Sequence, residues 1–155
     1  MKRRFALWRL AWVFACTPAL AATVCTVSVS GVAFGNYNSI SSQNADTLAT
    51  ISVTCTGTTG DNVSLQLAMS AGNGSFSNRQ MTAGAYTMLY NLFMDSSRSV
   101  VWGDGTGGTG TLTDSFTMDS SVVVKNYTVY GRVFGNQNQL VAQFYSDNVV
   151  VSLTY

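Results

Sequence analysis

Two stretches decide the fold: Ala49-Thr-Ile-Ser-Val-Thr-Cys55 and Val63-Ser-Leu-Gln-Leu-Ala-Met69. In each, apolar residues fall on every second position. Ala49, Ile51, Val53 and Cys55 alternate with Thr50, Ser52 and Thr54; Val63, Leu65, Leu67 and Met69 alternate with Ser64, Gln66 and Ala68. Side chains of a strand point to opposite faces in turn, so this period of two marks strands with one buried and one solvated face. The same pattern recurs at Cys25, Val27, Val29 and at Val149, Val151, Leu153, Tyr155. Tyr86 to Met94 and Tyr127 to Phe134 read as strands with less regular alternation, and shorter ones are expected at Val100-Val101-Trp102 and near Ser121 to Lys125.

Turn material separates these segments. It comprises Gly57 to Asn62, Gly72-Asn73-Gly74-Ser75, Gly103 to Gly110 and Gly135 to Asn138, with a polar loop over residues 36–46. No window shows helical periodicity with caps. About seven short strands joined by turns predict an all-β, antiparallel sandwich in a single domain.

The first 21 residues read differently. Met1-Lys2-Arg3-Arg4 is basic, Phe5 to Cys16 is apolar apart from Arg9, and Ala19-Leu20-Ala21 places small residues where a signal peptidase needs them. This is the pattern of a secretory signal peptide over residues 1–21, cleaved after Ala21 or after Ala22. Val13-Phe14-Ala15-Cys16 loosely matches a lipoprotein site, which would anchor the chain through Cys16, but Phe14 fits that pattern poorly. The apolar run is too short to span a bilayer. Cleavage after Ala21 leaves a domain over residues 22–155, with four cations and seven aspartates for a net charge of −3. So sparse and slightly acidic a surface gives no footprint for nucleic acid. Two cysteines remain, Cys25 and Cys55, both on the apolar faces of their strands. An even pair in an oxidising compartment is expected to form a buried bridge between the first two strands.

Chemistry is hard to build from what is left. The chain has no histidine and no glutamate, which removes Ser-His-Asp and Cys-His catalysis and the commonest metal ligand. The seven aspartates sit mostly in turns and match no calcium loop. Gly103-Asp-Gly-Thr-Gly-Gly108 fits the dinucleotide string G-x-G-x-x-G, but no helix follows, so a hairpin tip is the reading. Three Asn-x-Ser/Thr strings, at Asn62, Asn73 and Asn126, are unremarkable in so polar a chain. The aromatics could form a carbohydrate platform, with Trp102 the residue to test, although packing explains them more simply. No catalytic residue, metal ligand or cofactor site is expected.

A series of short motifs runs in order along the chain: Cys25-Thr-Val, Ala33-Phe-Gly-Asn-Tyr37, Ile51-Ser-Val-Thr-Cys55, Leu89-Tyr-Asn-Leu92, Val101-Trp-Gly-Asp-Gly105, Tyr130-Gly-Arg132, Tyr145-Ser-Asp147 and a final Leu153-Thr-Tyr155. This order resembles the spore coat protein U domain family, which includes the pilin subunits of archaic chaperone–usher pili. The resemblance implies an immunoglobulin-like sandwich lacking its final strand. It also implies folding on a periplasmic chaperone, passage through an outer-membrane usher, strand exchange with neighbouring pilin subunits, and a place in a surface fibre serving adhesion and biofilm formation. The C-terminal strand, with Val149, Val151, Leu153 and Tyr155 on its apolar face, would border the groove left by the missing strand. Only Ala22-Thr-Val24 precede Cys25 after the expected cleavage, a reach of about 10 Å, too short to donate a strand. The chain therefore reads as a strand acceptor at a tip or chain end. The alternative is a stand-alone carbohydrate-binding or coat protein. N-terminal sequencing of the exported protein is expected to begin at Ala22; a start well upstream would supply the missing donor.

Overall fold

The computed structural model describes residues 22–155; the expected signal peptide, its cleavage point and Cys16 lie outside them. Eight strands follow in order: β1 (Val24–Val29), β2 (Ala45–Thr56), β3 (Asn62–Met69), β4 (Arg79–Ala83), β5 (Tyr86–Phe93), β6 (Leu112–Thr117), β7 (Val122–Val133) and β8 (Val151–Thr154). They form a five-stranded sheet, β1-β2-β7-β5-β4, and a three-stranded sheet, β6-β3-β8. Every pairing between these strands is antiparallel, and no helix occurs among the described residues. The expected all-β sandwich is the fold.

Its core is the meeting of the two alternating stretches. Ile51, Val53 and Cys55 of β2 and Val63, Leu65, Leu67 and Met69 of β3 are buried, while Thr54, Ser64 and Gln66 point outward. Val129 and Val133 of β7 and Tyr90 and Leu92 of β5 complete the inner face of the larger sheet. Burying such side chains contributes on the order of 1.5–3 kcal/mol each.

The disulfide forms between β1 and β2, whose register sets Cys25 directly opposite Cys55 with Cα atoms 4.0 Å apart. Such close approach marks a pair between the ladder hydrogen bonds, where facing side chains come nearest. Both cysteines are buried.

The structure departs from the sequence reading in four places. The segments expected near Ser121 to Lys125 and from Tyr127 to Phe134 are one continuous strand, β7, because β2 runs beside it from Thr56↔Val122 to Ala45↔Val133. Val100-Val101-Trp102 is not a strand but two single bridges, Phe93↔Val101 and Trp102↔Gly110. This segment crosses between the sheets: the Trp102 N–H donates to Leu92, and Gly103 accepts from Met69. Strands β4 and β6 were not expected, because their inward positions carry Arg79 and Asp114 rather than an unbroken apolar row. Val29 stands 47 % exposed despite its apolar parity, since nothing covers β1 on its outer side.

Arg79 is fully buried. Its guanidinium donates to Asn91 Oδ1 at 2.7 Å and to the carbonyls of Ser70 and Trp102, each at 2.8 Å, and lies over the Phe76 ring. Burial pulls its pKa below the ordinary arginine value, opposed by the nearby Tyr90 and Asp147. Neutral carbonyls, rather than a carboxylate, receive its terminal N–H groups, while the buried Nε has no hydrogen-bond partner among the described residues.

Two predictions follow from the fold. Replacing both bridge cysteines by alanine frees a segment of 30 residues and should lower stability by roughly 3–4 kcal/mol, read from the urea midpoint. The second concerns pH. Hydrogen bonds from Arg132, Thr23, Ser97 and Thr106 hold Asp46, Asp61, Asp95 and Asp104 respectively below the usual 3.8. Their contribution is present above that value and is lost as pH falls through the lower folded-state pKa values. Burial, reinforced by Asp147 and Asp114 respectively, raises Tyr90 and Tyr127 above 10.0. Their contribution is complete below 10.0 and declines as pH rises past it. With no histidine in the chain, stability should be flat from about pH 5 to 9. Tyr90→Phe and Tyr127→Phe should each blunt the alkaline fall, and a transition near pH 6–7 would contradict the account.

Candidate functional site

The sandwich is closed along one side and open along the other. On the closed side, the Lys125 ammonium lies 4.7 Å from the centre of the Phe116 ring, and the Tyr127 hydroxyl donates to Asp114 at 2.8 Å. The edge of β6 turns the backbone of Thr113, Ser115 and Thr117 outward, by alternation from the Met118 N–H, which donates across to Asp61. Its inward aspartate is a feature that discourages further pairing at an edge.

The opposite side is built from β1 and β8, each with a single strand neighbour. The Ser70 N–H donates to the Val150 carbonyl, and the Val150 N–H donates to Ser70 Oγ, both at 2.9 Å. Val150, and with it Ser152 and Thr154, therefore turns its peptide groups toward β3. Alternation turns the peptide groups of Val149, Val151 and Leu153 the other way, to the open side. The same holds on β1: the Ser30 N–H donates to Thr50 of β2 at 3.0 Å, which leaves Cys25, Val27 and Val29 facing outward from the sheet edge. The residues with open backbone groups also carry the inward side chains. Val149, Val151, Leu153 and Val27 are half-buried and pack on the core. Tyr155 lies one residue past β8 and is 54 % exposed.

Between these walls lies a groove of about 300 Å³. Val29 to Val32 form one wall and Tyr145 to Val149 with Val151 the other; Met81, Tyr90, Leu92 and Val129 of the larger sheet form the floor. A second hollow of about 630 Å³ shares Val32, Phe34, Met81 and Tyr145 with the first, so the two adjoin. The floor exists because three strands cannot cover five. Part of the uncovered area is roofed by chain after β1, where Phe34 packs edge-on against Tyr90 with ring centres 5.8 Å apart. Gly131 of β7 makes room for this: a Cβ there would lie 3.0 Å from two carbons of the Phe34 ring.

One polar assembly sits at the head of β8. Ser146 pairs with Thr82 of β4 in the larger sheet, whereas Val151 pairs with Met69 in the smaller one. The chain thus changes sheets over three or four residues, and Asp147 fixes the crossing. One carboxylate oxygen accepts from the N–H groups of Asn73 at 2.9 Å and Asn148 at 2.7 Å; the other accepts from the Tyr90 hydroxyl at 2.6 Å. Gly72 leaves room for this carboxylate, since a Cβ there would fall 2.2 Å from Oδ2, and its φ of +63° suits glycine. Arg79 binds the carbonyl of Ser70, whose hydroxyl and N–H hold Val150.

In the sequence Asp147 reads as a turn aspartate and Tyr90 as one of many aromatics, both within the ordered motifs, and Arg79 lies in none of them. The available signal was an arginine at the parity of Met81 and Ala83, with an asparagine at position 91 amid apolar residues. Trp102 is corrected outright as a carbohydrate platform. It is fully buried, and its indole N–H donates to the Leu67 carbonyl at 3.2 Å. Among the described residues, no three His, Cys, Asp or Glu side chains gather as a metal site, and no helix is long and apolar enough to cross a membrane.

The fold has a known counterpart. A chain in the crystal structure of the CsuC–CsuE chaperone–tip adhesion subunit pre-assembly complex, from the archaic chaperone–usher Csu pili of Acinetobacter baumannii, superposes with a TM-score of 0.55 at 18 % identity. The match covers 86 % of the present chain but 40 % of that one, so this chain spans about two-fifths of its length. At that identity the likeness is one of fold. No curated protein matches the sequence. The model of the Spore Coat Protein U domain matches residues 12–152, nearly the whole length, and the chain belongs to that family.

Proposed function

We propose that this chain is a structural subunit of a bacterial surface fibre of the archaic chaperone–usher type, and that it accepts a strand from a partner along the β1–β8 groove. The observation that carries the reading is the coincidence of two properties at the same residues. Val149, Val151 and Leu153 turn their peptide groups to an open side while packing their side chains on the core. A strand laid there would gain main-chain hydrogen bonds and seat alternate side chains over Met81, Leu92 and Val129. Unpaired strand edges otherwise invite aggregation.

The partners follow from the same reading. A periplasmic chaperone supplies the first strand, an outer-membrane usher exchanges it, and a neighbouring subunit supplies the last. The disulfide and the family both point to an extracytoplasmic protein. Adhesion and biofilm formation are the roles proposed for the fibre. A tip or chain-end position belongs to the same proposal and is tested by N-terminal sequencing. The stand-alone carbohydrate-binding reading loses its named residue with the burial of Trp102.

Co-expression with a chaperone and usher of the archaic type should raise the periplasmic yield several-fold and give a one-to-one chaperone complex. Val151→Asp, which sets a charge into the groove wall, should abolish that complex. A stable, soluble monomer that ignores the chaperone would overturn the proposal.

A further inference from the structure

The groove is lined mostly by apolar side chains; its polar lining residues are Ser30 on the β1 wall and, at the head of β8, Ser146, Asn148 and Asp147, the one charged group among them. This carboxylate is held rigidly and accepts three hydrogen bonds: two from N–H groups and one from Tyr90. A carboxylate has room for about four, so one acceptor position is unused. No cationic side chain forms an ion pair with Asp147 among the described residues. Arg79, whose charge acts on Asp147 through space, bonds through its terminal nitrogens to Asn91, Ser70 and Trp102 and makes no hydrogen bond to Asp147.

Register adds the second part. A strand paired along the open edge of β8 sets its inward side chains level with Val149, Val151 and Leu153, two residues apart. Asp147 lies two residues ahead of Val149, where the chain crosses between the sheets; it lines the same groove and is half-buried like them, so a strand continued past Val149 meets it next. The side chain at that fourth level covers the carboxylate. An apolar one would strip water from the unused acceptor without replacing its hydrogen bond, which is costly. An acidic one would add like-charge repulsion. A lysine or arginine would complete the coordination with a charge-assisted bond.

Resting on the strand-acceptor reading, we infer that Asp147 is a specificity-determining residue of the groove. It selects a partner strand of the pattern apolar-x-apolar-x-apolar-x-cation, with the three apolar residues level with Leu153, Val151 and Val149 and the cation level with Asp147.

The test uses the mature chain, unfolded in guanidinium with its disulfide intact and refolded with synthetic nine-residue peptides. These alternate valine and threonine and carry lysine, leucine or glutamate at the fourth inward position, in both chain directions. Affinity is read by fluorescence anisotropy of a labelled peptide. The lysine peptide should bind about tenfold more tightly than the leucine peptide, as expected for one charge-assisted bond set against a stripped acceptor, with glutamate weakest. The lysine advantage should shrink in 0.5 M salt and vanish in Asp147→Asn. The salt series on the natural chain keeps the question answerable if that variant does not refold. Equal binding of the three peptides would overturn the role of Asp147 and leave the groove intact. Binding of none of them would remove the groove reading and this inference with it.

Discussion

A strand has two sides, and the peptide groups of Val149, Val151 and Leu153 turn to the side of β8 on which no strand lies among the described residues. Buried backbone donors and acceptors must find partners or lose free energy comparable to a hydrogen bond each. Most of the molecule meets this demand within itself. β2 and β7 pair over twelve positions, and β4 finds a bridge to Ser146 at its outer side. Along β8 and β1 the demand is met only by water or by another chain. The three-over-five mismatch of the sheets turns that edge into a groove, because the missing strand is also a missing piece of the roof.

The polar interior holds the edge in position. Arg79 is costly to bury, and a charge with only carbonyls and an amide for partners is an expensive way to fill a core. What it does geometrically is tie Ser70, Asn91 and Trp102 to one planar group, in which donor directions are fixed. Ser70 passes that fixation to Val150, and Asp147 anchors the chain just ahead of it. The first residues of β8 are therefore located by hydrogen bonds rather than by neighbours on both sides. An edge strand of four residues would otherwise have little to define its place.

Much of this was legible in the sequence, and the limits have physical causes. Period-two alternation located β1, β2, β3 and β8 because their inward residues are uniformly apolar, and it placed Cys25 and Cys55 on facing sides. It missed β4 and β6, whose inward rows include Arg79 and Asp114. Those charges are accommodated by partners far along the chain, Asn91 and Tyr127, and alternation within one segment carries no information about such partners. Trp102 looked available as a binding platform because exposure depends on what packs above a residue. The Val100–Trp102 segment runs between the sheets and shuts the indole inside. The resemblance to the spore coat protein U family gave the missing strand, but the identity of the polar end of the groove came only from coordinates that bring Tyr90, Asn73 and Asp147 together.

The disulfide has a mechanical side as well. It sits at the second residue of β1, so tension applied to the chain ahead of Val24 meets a covalent link almost at once. The load passes through sulfur into Cys55 and the middle layers of the larger sheet, where β2 is flanked by β1 and β7. The hydrogen bonds of Ser28 and Ser30 to β2 lie beyond that link, which takes up load ahead of them. Peeling β1 residue by residue, the easiest way to unzip an edge strand, is closed to a force from that direction. The domain would instead have to shear β2 against β7 along twelve paired positions, a far stiffer connection than the six-residue strand at its border suggests.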